Sequence, residues 1–421
     1  MRVLTTTDFV GSFFPQPTSY GRLPGAAALQ AAVDELRTDA GGGLWVDTGD
    51  LAQGSALGAL SDGVWPFLAL RELSIDVTVV GNHELDWGVE HLGRWGAELP
   101  FPLLAANLAL GRPATCLLTA GECVAGVIGL SVPSLGALHP GAAVDPHTAG
   151  LVARHAAQLR RDGAQHVVLA LHDGIDPVPA PAGPPLADAA RMEALCAAVR
   201  GHVDLVLGGH TLMRYAGTLS GVPFLQPWAF GSELGVADLH DDGRVALRLV
   251  DVGPARPWEG AGAGAQAALE RELVGRLDAP LRQAAGRETA LADAVAAGLL
   301  RRDRRVDWAC VAPGDLWNQP ARDGVHAYLG AGDVNLAQVL RLTPFCGARS
   351  AWGGQLVAAE LLSDEAERIV RAAGGSVARR PGTGGAVALA LSPYVAATAG
   401  AGHEWYPLAS TWRDGLLAAV A

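Results

Sequence analysis

The chain has 421 residues, a length that suggests two or three domains of ordinary size. Half of the residues are apolar and 18% are charged, which excludes the disordered class and leaves enough apolar residues for large cores. The net charge of −12 argues against a nucleic-acid polymer as partner, because such a partner needs a basic face. No stretch approaches about 18 uncharged apolar residues, so the sequence predicts no membrane span.

The five cysteines are odd in number and scattered, and none of them forms a C-x-x-C pair. This pattern indicates neither a disulfide framework nor a zinc ribbon, and it is typical of buried thiols in a reducing compartment. The N-terminus lacks the apolar segment of a signal peptide, since three threonines and Asp8 soon follow Met1. We therefore expect a cytoplasmic protein that does not bind membranes. The sequence leaves the oligomeric state open.

The first part of the chain is predicted to alternate strands and helices. Helical patterns with one apolar face cover Ala26–Arg37 and Ala187–Val199. A mixed α/β layer architecture with strands buried on both faces accounts for this order. The predicted strands are Arg2–Asp8, Leu44–Asp47, Val77–Val80, Leu103–Ala105, Val124–Leu130, His166–Leu171, Asp204–Leu207, Phe224–Gln226, Leu234–Leu239 and Val245–Val250.

A change of composition marks a domain boundary in the middle of the chain. The stretch Gly253–Ala265 is rich in glycine, alanine and proline. A charged stretch, Ala267–Ala285, is predicted to be helical, and a second mixed α/β region follows it. We therefore predict a first domain over residues 1–255, a linker and helix over 256–285, and a smaller domain over 286–421.

Polar residues that can bind a metal follow five of the predicted strands in the first domain. Ligands bind at the carboxyl ends of strands in open α/β sheets, so these residues are expected to meet at one rim. Any one of them alone would more often be a turn, a cap or a packed polar residue. Their joint occurrence, each beside a glycine, favours one site, and mixed oxygen and imidazole ligands suit Mn, Fe, Zn or Ni. The residues are Asp8, Asp50, Asn82, His83, His172 and His210.

The motifs that contain these residues are TTTDFVG, TGDLAQGS, GNHELDWG, ALHDG and GGHTL. In this order they resemble the calcineurin-like metallophosphoesterases and, within them, the 5′-nucleotidase family. The resemblance covers most of residues 1–252 and continues more weakly to the C-terminus, and GNHELDWG is its most specific motif. It implies a four-layer α/β/β/α sandwich followed by a smaller α/β substrate-binding domain.

The resemblance also implies which residues hold the metal. Asp50 would bridge two metal ions, as two-metal hydrolases require. Asn82, His172 and His210 would complete the first metal position together with Asp50. Asp8 would belong to the second position.

Two departures from the family pattern fall on that second position. The family's D-x-H ends here in Val10, and its GH-x-H ends in Leu212, so two imidazole ligands are missing. Both belong to the metal that Asp8 serves. We therefore expect one tightly bound divalent transition metal, with the other position weakly filled or empty.

Catalytic and substrate-binding residues follow from the same resemblance. His83 would protonate the leaving alcohol or stabilise the phosphoryl transition state, and Asp86 would hold its imidazole in the right tautomer. Phe345 and Tyr394 would sandwich a nucleotide base. For either ring, packing in the core of its own domain is the alternative.

The C-terminal domain departs from the family as well. The family's asparagine and arginine in N-x-G-x-x-R are here Ala312 and Trp317, which removes a cation that would face phosphate or ribose. Two functions remain open. The first is metal-dependent hydrolysis of a small, nucleotide-like phosphate ester, and the retained His83 and Asp86 favour it. The second is an inactive family member that binds a phosphorylated ligand, which the two lost histidines favour.

Overall fold

The computed structural model describes residues 1–133, 148–178, 186–284, 289–312, 315–343, 356–383 and 385–421, without the side chains of residues 394, 397 and 398. In these residues the fold mixes helices and strands throughout. None of the helices described there combines the length and the apolar character needed to cross a membrane.

The first part of the chain alternates strands with helices, as predicted. The strands are β1 (Arg2–Thr6), β2 (Gln16–Thr18), β3 (Gly21–Leu23), β4 (Leu44–Asp47), β5 (Thr78–Val79), β6 (Leu103–Leu104), β7 (Thr115–Ala120), β8 (Cys123–Leu130), β9 (His166–Leu171), β10 (Asp176–Val178), β11 (Leu186–Asp188), β12 (Leu205–Leu207), β13 (Tyr215–Leu219), β14 (Val222–Gln226), β15 (Glu233–Leu239) and β16 (Val245–Asp251). The helices are α1 (Ala26–Asp39), α2 (Ala56–Leu60), α3 (Val64–Leu70), α4 (Val89–Gly96), α5 (Thr148–Arg161) and α6 (Ala190–Val199).

Two mixed sheets form the centre of this part. The first has the strand order β16-β15-β1-β4, and the second has the order β13-β14-β12-β9-β8-β7. Strand β1 pairs parallel to β4 and antiparallel to β15, and β9 pairs parallel to both β8 and β12. Each sheet therefore combines parallel and antiparallel pairs.

The two sheets pack face to face and are covered by helices on their outer faces. Apolar side chains from both sheets fill the space between them, including Val3, Val46, Val127 and Leu205. Helix α1 packs on the outer face of the first sheet, and helices α5 and α6 pack on the outer face of the second. This arrangement is the four-layer α/β/β/α sandwich that the sequence predicted.

The rest of the chain forms a second α/β unit. Its strands are β17 (Leu273–Leu277), β18 (Leu281–Ala284), β19 (Trp308–Val311), β20 (Val325–Leu329), β21 (Gly332–Asn335), β22 (Val357–Leu362), β23 (Ser376–Arg379), β24 (Ala386–Leu391) and β25 (Tyr406–Pro407). Helix α7 (Ala263–Arg271) precedes them, and the later helices are α8 (Ala290–Arg302), α9 (Leu336–Leu342), α10 (Ser363–Ala373), α11 (Pro393–Thr398) and α12 (Trp412–Val420). A five-stranded sheet, β23-β19-β24-β22-β25, lies between two apolar clusters.

The helix predicted over Ala267–Ala285 is wrong beyond Arg271. The chain there forms strands β17 and β18, which pair antiparallel with β21 and β20. Gly275 and Pro280 lie in this stretch, and neither residue is tolerated well inside a helix. Pairing with later strands therefore decides the local structure.

Candidate metal centre and active site

All five predicted polar positions lie just beyond the ends of strands. His172 directly follows β9, and Asp8 lies two residues beyond β1. Asp50, Asn82 and His210 each lie three residues beyond β4, β5 and β12. Because β1 runs parallel to β4 and β9 runs parallel to β12, these ends meet at one edge of the sandwich.

Four of these side chains converge on one point. Asp50, His172 and His210 each present a ligand atom within 4.8 Å of the other two. His172 Nε2 lies 3.1 Å from Asp50 Oδ2 and 3.1 Å from Asn82 Oδ1. The arrangement brings together the four residues that the sequence assigned to one metal position.

The orientation of the His172 ring is fixed by its second nitrogen. Its Nδ1 lies 2.6 Å from the carbonyl oxygen of Thr48, which can only accept a hydrogen bond. Nδ1 therefore carries a proton and donates it, which turns Nε2 toward Asp50 and Asn82. A backbone carbonyl behind the imidazole is the usual support of a metal-binding histidine.

Burial and the neighbouring charged groups determine the protonation states of the side chains in the cluster. Burial lowers the pKa of His210 to about 4, so this imidazole is neutral at pH 7. Burial acts in the same direction on His172, but the Asp50 carboxylate outweighs it and raises the pKa of His172 to about 10. Burial of Asp50 would raise the pKa of its carboxyl group, but the neighbouring imidazoles outweigh this effect and hold that pKa below its ordinary range. Asp50 and His172 thus form a buried ion pair, with the positive charge on the imidazole.

The loops at this edge have unusual backbone conformations. Several residues other than glycine have a positive φ, which L-residues rarely adopt and which is least favourable for a β-branched side chain. The rest of the fold must therefore hold these loops in place. The residues and their φ angles are Asp8 (46°), Val10 (45°), Asp50 (58°), His210 (67°) and Leu212 (52°).

Glu84 connects two of the loops, and the sequence reasoning assigned it no role. Its buried carboxylate accepts hydrogen bonds from the backbone N–H groups of Gly81, Asp50 and Leu51, at 2.7, 2.9 and 2.8 Å. Burial, with the nearby Asp50 carboxylate, raises the pKa of Glu84 to about 7. Its place inside the motif GNHELDWG, one residue after His83, is the sequence signal for this role. Glu84 thereby positions the backbone of the metal-binding loop.

Asp8 lies beside the cluster. Its Oδ2 accepts hydrogen bonds from Thr7 Oγ1 and, at 2.8 Å, from the backbone N–H of His210. Burial raises the pKa of Asp8 to about 6. In this structure the carboxylate of Asp8 therefore supports the loop of His210.

The second metal position is surrounded by apolar side chains. Val10 is fully buried, and Leu212 packs against the same small cluster. Where the family pattern has two imidazole nitrogens, this protein has hydrocarbon. The cluster consists of Val10, Leu23, Ala229 and Phe230, with Leu212 and Trp317 packed against it.

His83 and Asp86 form the predicted pair. His83 Nδ1 lies 3.0 Å from Asp86 Oδ2, and His83 Nε2 lies 4.0 Å from Asp50 Oδ2. Burial alone would lower the pKa of His83, but the carboxylates of Asp86 and Asp50 raise it to about 9. The pair places a protonated imidazole, held in one orientation, next to the metal-binding carboxylate.

Trp317 of the C-terminal unit packs directly on this pair. Its ring lies 5.9 Å from the ring of His83, with the planes inclined by 30°. It also meets Phe230 edge to face at 5.2 Å. Trp317 was expected only as the replacement of a family arginine, and its contact with His83 was not predicted.

The predicted aromatic clamp lies outside the described residues. Phe345 belongs to the range 344–355, which is not described. Tyr394 has its backbone in helix α11, but its side chain is not described. Stacking of a base between these two rings stays a prediction.

The comparisons with known proteins agree with this geometry. Residues 1–214, just over half of the chain, match the family described as calcineurin-like phosphoesterase, and the chain belongs to that family. The resemblance inferred from the motifs is therefore confirmed. A 2′,3′-cyclic-nucleotide 2′-phosphodiesterase/3′-nucleotidase of Salmonella typhimurium is 27% identical over 325 residues, which are 66% of this chain and 50% of that protein. The chain spans about half the length or less of these curated relatives.

Solved structures extend the likeness to the whole chain. A 5′-nucleotidase precursor of Thermus thermophilus covers 100% of this chain and 96% of its own, with a TM-score of 0.78 and 16% identity. The sulfate thiohydrolase SoxB of the same organism covers 100% of this chain and 93% of its own, with a TM-score of 0.74 and 17% identity. At these identities the likeness establishes the two-domain fold and leaves the reaction undecided.

The family implies a divalent metal, and the residues of the cluster fit one ion. Two imidazole nitrogens, a carboxylate and an amide oxygen form a donor set suited to a transition metal. The residues that would hold the ion are Asp50, Asn82, His172 and His210. Such an ion would supply Lewis-acid polarisation of a phosphoryl oxygen. Two of the donors expected at the second position are absent from the sequence.

Proposed function

We propose that this protein hydrolyses a small, nucleotide-like phosphate ester, of the 5′-nucleotidase or cyclic-nucleotide phosphodiesterase type, with one tightly bound Mn, Fe, Zn or Ni ion. The observation that carries the proposal is the 3.0 Å pair of His83 and Asp86 beside a complete donor cluster. A protein that only binds a ligand needs no proton donor held at the edge of a metal site. Nucleotidase and cyclic phosphodiesterase names among the relatives support the same substrate class.

The residues of the chain divide the work as follows. His83 delivers a proton to the leaving oxygen, and Asp86 fixes the ring by accepting the hydrogen bond of Nδ1. Asp50 accepts a hydrogen bond from the backbone N–H of His83 at 2.8 Å, which keeps the imidazole beside the donor cluster. Trp317 covers one face of the imidazole and keeps water away from it.

The charge of the site points to the type of ester. A phosphomonoester carries almost two negative charges at neutral pH, and a dianion needs strong positive compensation in a partly buried site. Here the second metal position is apolar, and Trp317 stands where the family has arginine. A diester carries one negative charge and a second organic group that can pack on the apolar cluster. We therefore propose that diesters react faster than monoesters.

The alternative function, an inactive member that binds a phosphorylated ligand, rests on the replacements Val10 and Leu212. One assay separates the two functions. Protein reconstituted with a single transition metal is tested on an aryl phosphate monoester and on the bis-aryl diester, beside His83→Ala as control. Metal-dependent turnover that exceeds that of His83→Ala supports the enzyme. Equal background rates, together with binding of phosphate, establish the alternative.

We also propose a reducing, cytoplasmic location. Unpaired thiols at Cys116, Cys123, Cys196 and Cys310 support it. Fractionation of cells that express a tagged full-length chain tests the proposal, and recovery with periplasmic or secreted proteins contradicts it.

A further inference from the structure

A buried arginine without an acidic partner lies at the junction of the two domains. Arg341, in the last turn of helix α9, is 8% exposed. Its Nη2 donates a hydrogen bond to Ser12 Oγ at 3.0 Å, while its Nε is buried without a partner. Within the described parts of the chain, no carboxylate forms an ion pair with its guanidinium. The C-terminal end of a helix favours a cation weakly, but it provides no counter-ion.

This guanidinium lines a cleft of about 270 Å³ between the two domains. Gln16 and Arg22 contribute from the first domain, and Asn318 and Tyr328 contribute from the second. The exposed side chain of Arg22 forms no ion pair within the described residues either. The volume is close to the lower limit for small-molecule sites, which begins at about 300 Å³.

Acidic groups around the cleft do not neutralise the two arginines. Glu270 is the carboxylate among the described lining residues, and it is exposed to solvent. It accepts a hydrogen bond from Gln266 Nε2 at 3.0 Å and makes no ion pair with Arg22 or Arg341 in the described structure. A buried charge without a partner is costly unless another group compensates it. The guanidinium of Arg341 therefore lacks a counter-ion among the described residues.

We propose that this cleft is a binding site for a small oxyanion, held chiefly by Arg341 and separate from the metal centre. A planar guanidinium binds a phosphoryl group or a carboxylate through two parallel hydrogen bonds, and the unpartnered Nε of Arg341 can donate one of them to either group. Ser12 belongs to the same loop as Asp8 and Val10. An anion in the cleft would therefore tie helix α9 to the loop that borders the metal centre.

The test measures binding of inorganic phosphate and of succinate to the metal-loaded protein by calorimetry, together with the thermal midpoint Tm. Phosphate is expected at two sites per chain, one at the metal centre and one in the cleft. Arg341→Met should remove the cleft site alone, and His172→Ala should remove the metal-centre site alone. The ligand that binds the cleft with the higher affinity, phosphate or succinate, identifies the natural anion as a phosphoryl group or a carboxylate.

Arg341→Met is also expected to raise Tm without anion, since it replaces an unpaired buried charge with an apolar side chain. Added phosphate or succinate should then raise the Tm of this variant less than that of the unmodified protein. Arg256→Met, which removes an exposed arginine of the connecting segment, should change neither quantity. If Arg341→Met folds poorly, Arg341→Lys serves instead and should weaken the cleft site about tenfold. Loss of all phosphate binding in His172→Ala, or full binding in the Arg341 variants, overturns the proposal.

Discussion

The indole ring of Trp317 lies on the imidazole ring of His83, with 5.9 Å between the ring centroids. The contact joins the C-terminal domain to His83, the residue that we propose as proton donor. It also places an uncharged ring where the family pattern has an arginine. The second domain therefore forms one wall of the candidate active site, in addition to any role in binding a substrate.

Trp317→Arg should shift the preference toward monoesters. A guanidinium at this position compensates the second negative charge of a monoester, while the diester loses an apolar surface. The ratio of the monoester kcat/KM to the diester kcat/KM is expected to rise about tenfold, or about 1.4 kcal/mol of transition-state free energy. Trp317→Phe is the control and should leave the ratio unchanged. An unchanged ratio in Trp317→Arg would contradict the charge argument.

The unmodified protein should bind one transition-metal ion per chain, as measured by elemental analysis after dialysis. Val10→His combined with Leu212→His should raise the number toward two, because both missing imidazoles return. Histidine tolerates the positive φ of 45° at position 10 better than valine does. The pair Val10→Ala and Leu212→Ala removes bulk without adding donors and should stay at one. Two equally occupied ions in the unmodified protein would refute the one-metal interpretation.

His83→Ala should lower kcat by about 10²–10⁴-fold, the usual contribution of a positioned acid. Its metal content should stay the same, since His83 lies outside the donor cluster.

Asp86→Asn keeps a hydrogen-bond acceptor but removes a charge that raises the pKa of His83. The acidic group seen in its pH–rate profile should therefore titrate at a lower pH than in the unmodified protein. An unshifted profile would show that His83 is not the proton donor.

His326 should make the protein less stable in mild acid. Burial lowers the pKa of this imidazole from 6.5 to about 4, and its Nε2 has no hydrogen-bond partner among the residues that the structure describes. Between these values the unfolded chain binds the proton and the folded chain does not, so stability is lost as the pH falls from 6.5 toward 4. The loss amounts to at most about 3 kcal/mol. Denaturant unfolding of His326→Leu should lack this part of the pH dependence, and parallel curves for both proteins would contradict it.

Phe345→Ala and Tyr394→Ala should each weaken binding of a nucleoside monophosphate by about 1–3 kcal/mol, as base stacking predicts. Binding of inorganic phosphate, which has no ring to stack, is the control and should not change. Calorimetry on the metal-loaded protein measures both. If each variant weakens the binding of phosphate and of nucleotide equally, the two rings pack in the domain core and do not stack on a base.

The metal centre could be predicted from the sequence because it is assembled from strand ends. A strand fixes the direction of the residue that follows it, so Asp50, His172 and His210 meet once the sheets form. Local patterns predicted an α/β layer architecture, and the family resemblance implied its four layers. They did not identify the strands β17 and β18, because pairing with β21 and β20 overrides the charged, alanine-containing sequence.

Contacts between the domains were beyond the reach of sequence patterns. The position of Trp317 depends on how two independently patterned units dock, and nothing in its local sequence encodes a partner 234 residues away. Glu84 was missed for a different reason. Its partners are backbone N–H groups, which every residue except proline carries, so only its place in the motif GNHELDWG signals this role.

The apolar cluster also bears on how the chain unfolds. Val10 and Phe230 share their packing with Trp317, and a hydrogen bond from Gln16 Nε2 to the carbonyl oxygen of Asn318, at 2.7 Å, lies near it. Separation of the two domains would expose apolar side chains of both to water. The two domains should therefore unfold in one cooperative thermal transition. A fragment that ends at residue 255 should expose an apolar, aggregation-prone surface beside the proposed catalytic residues.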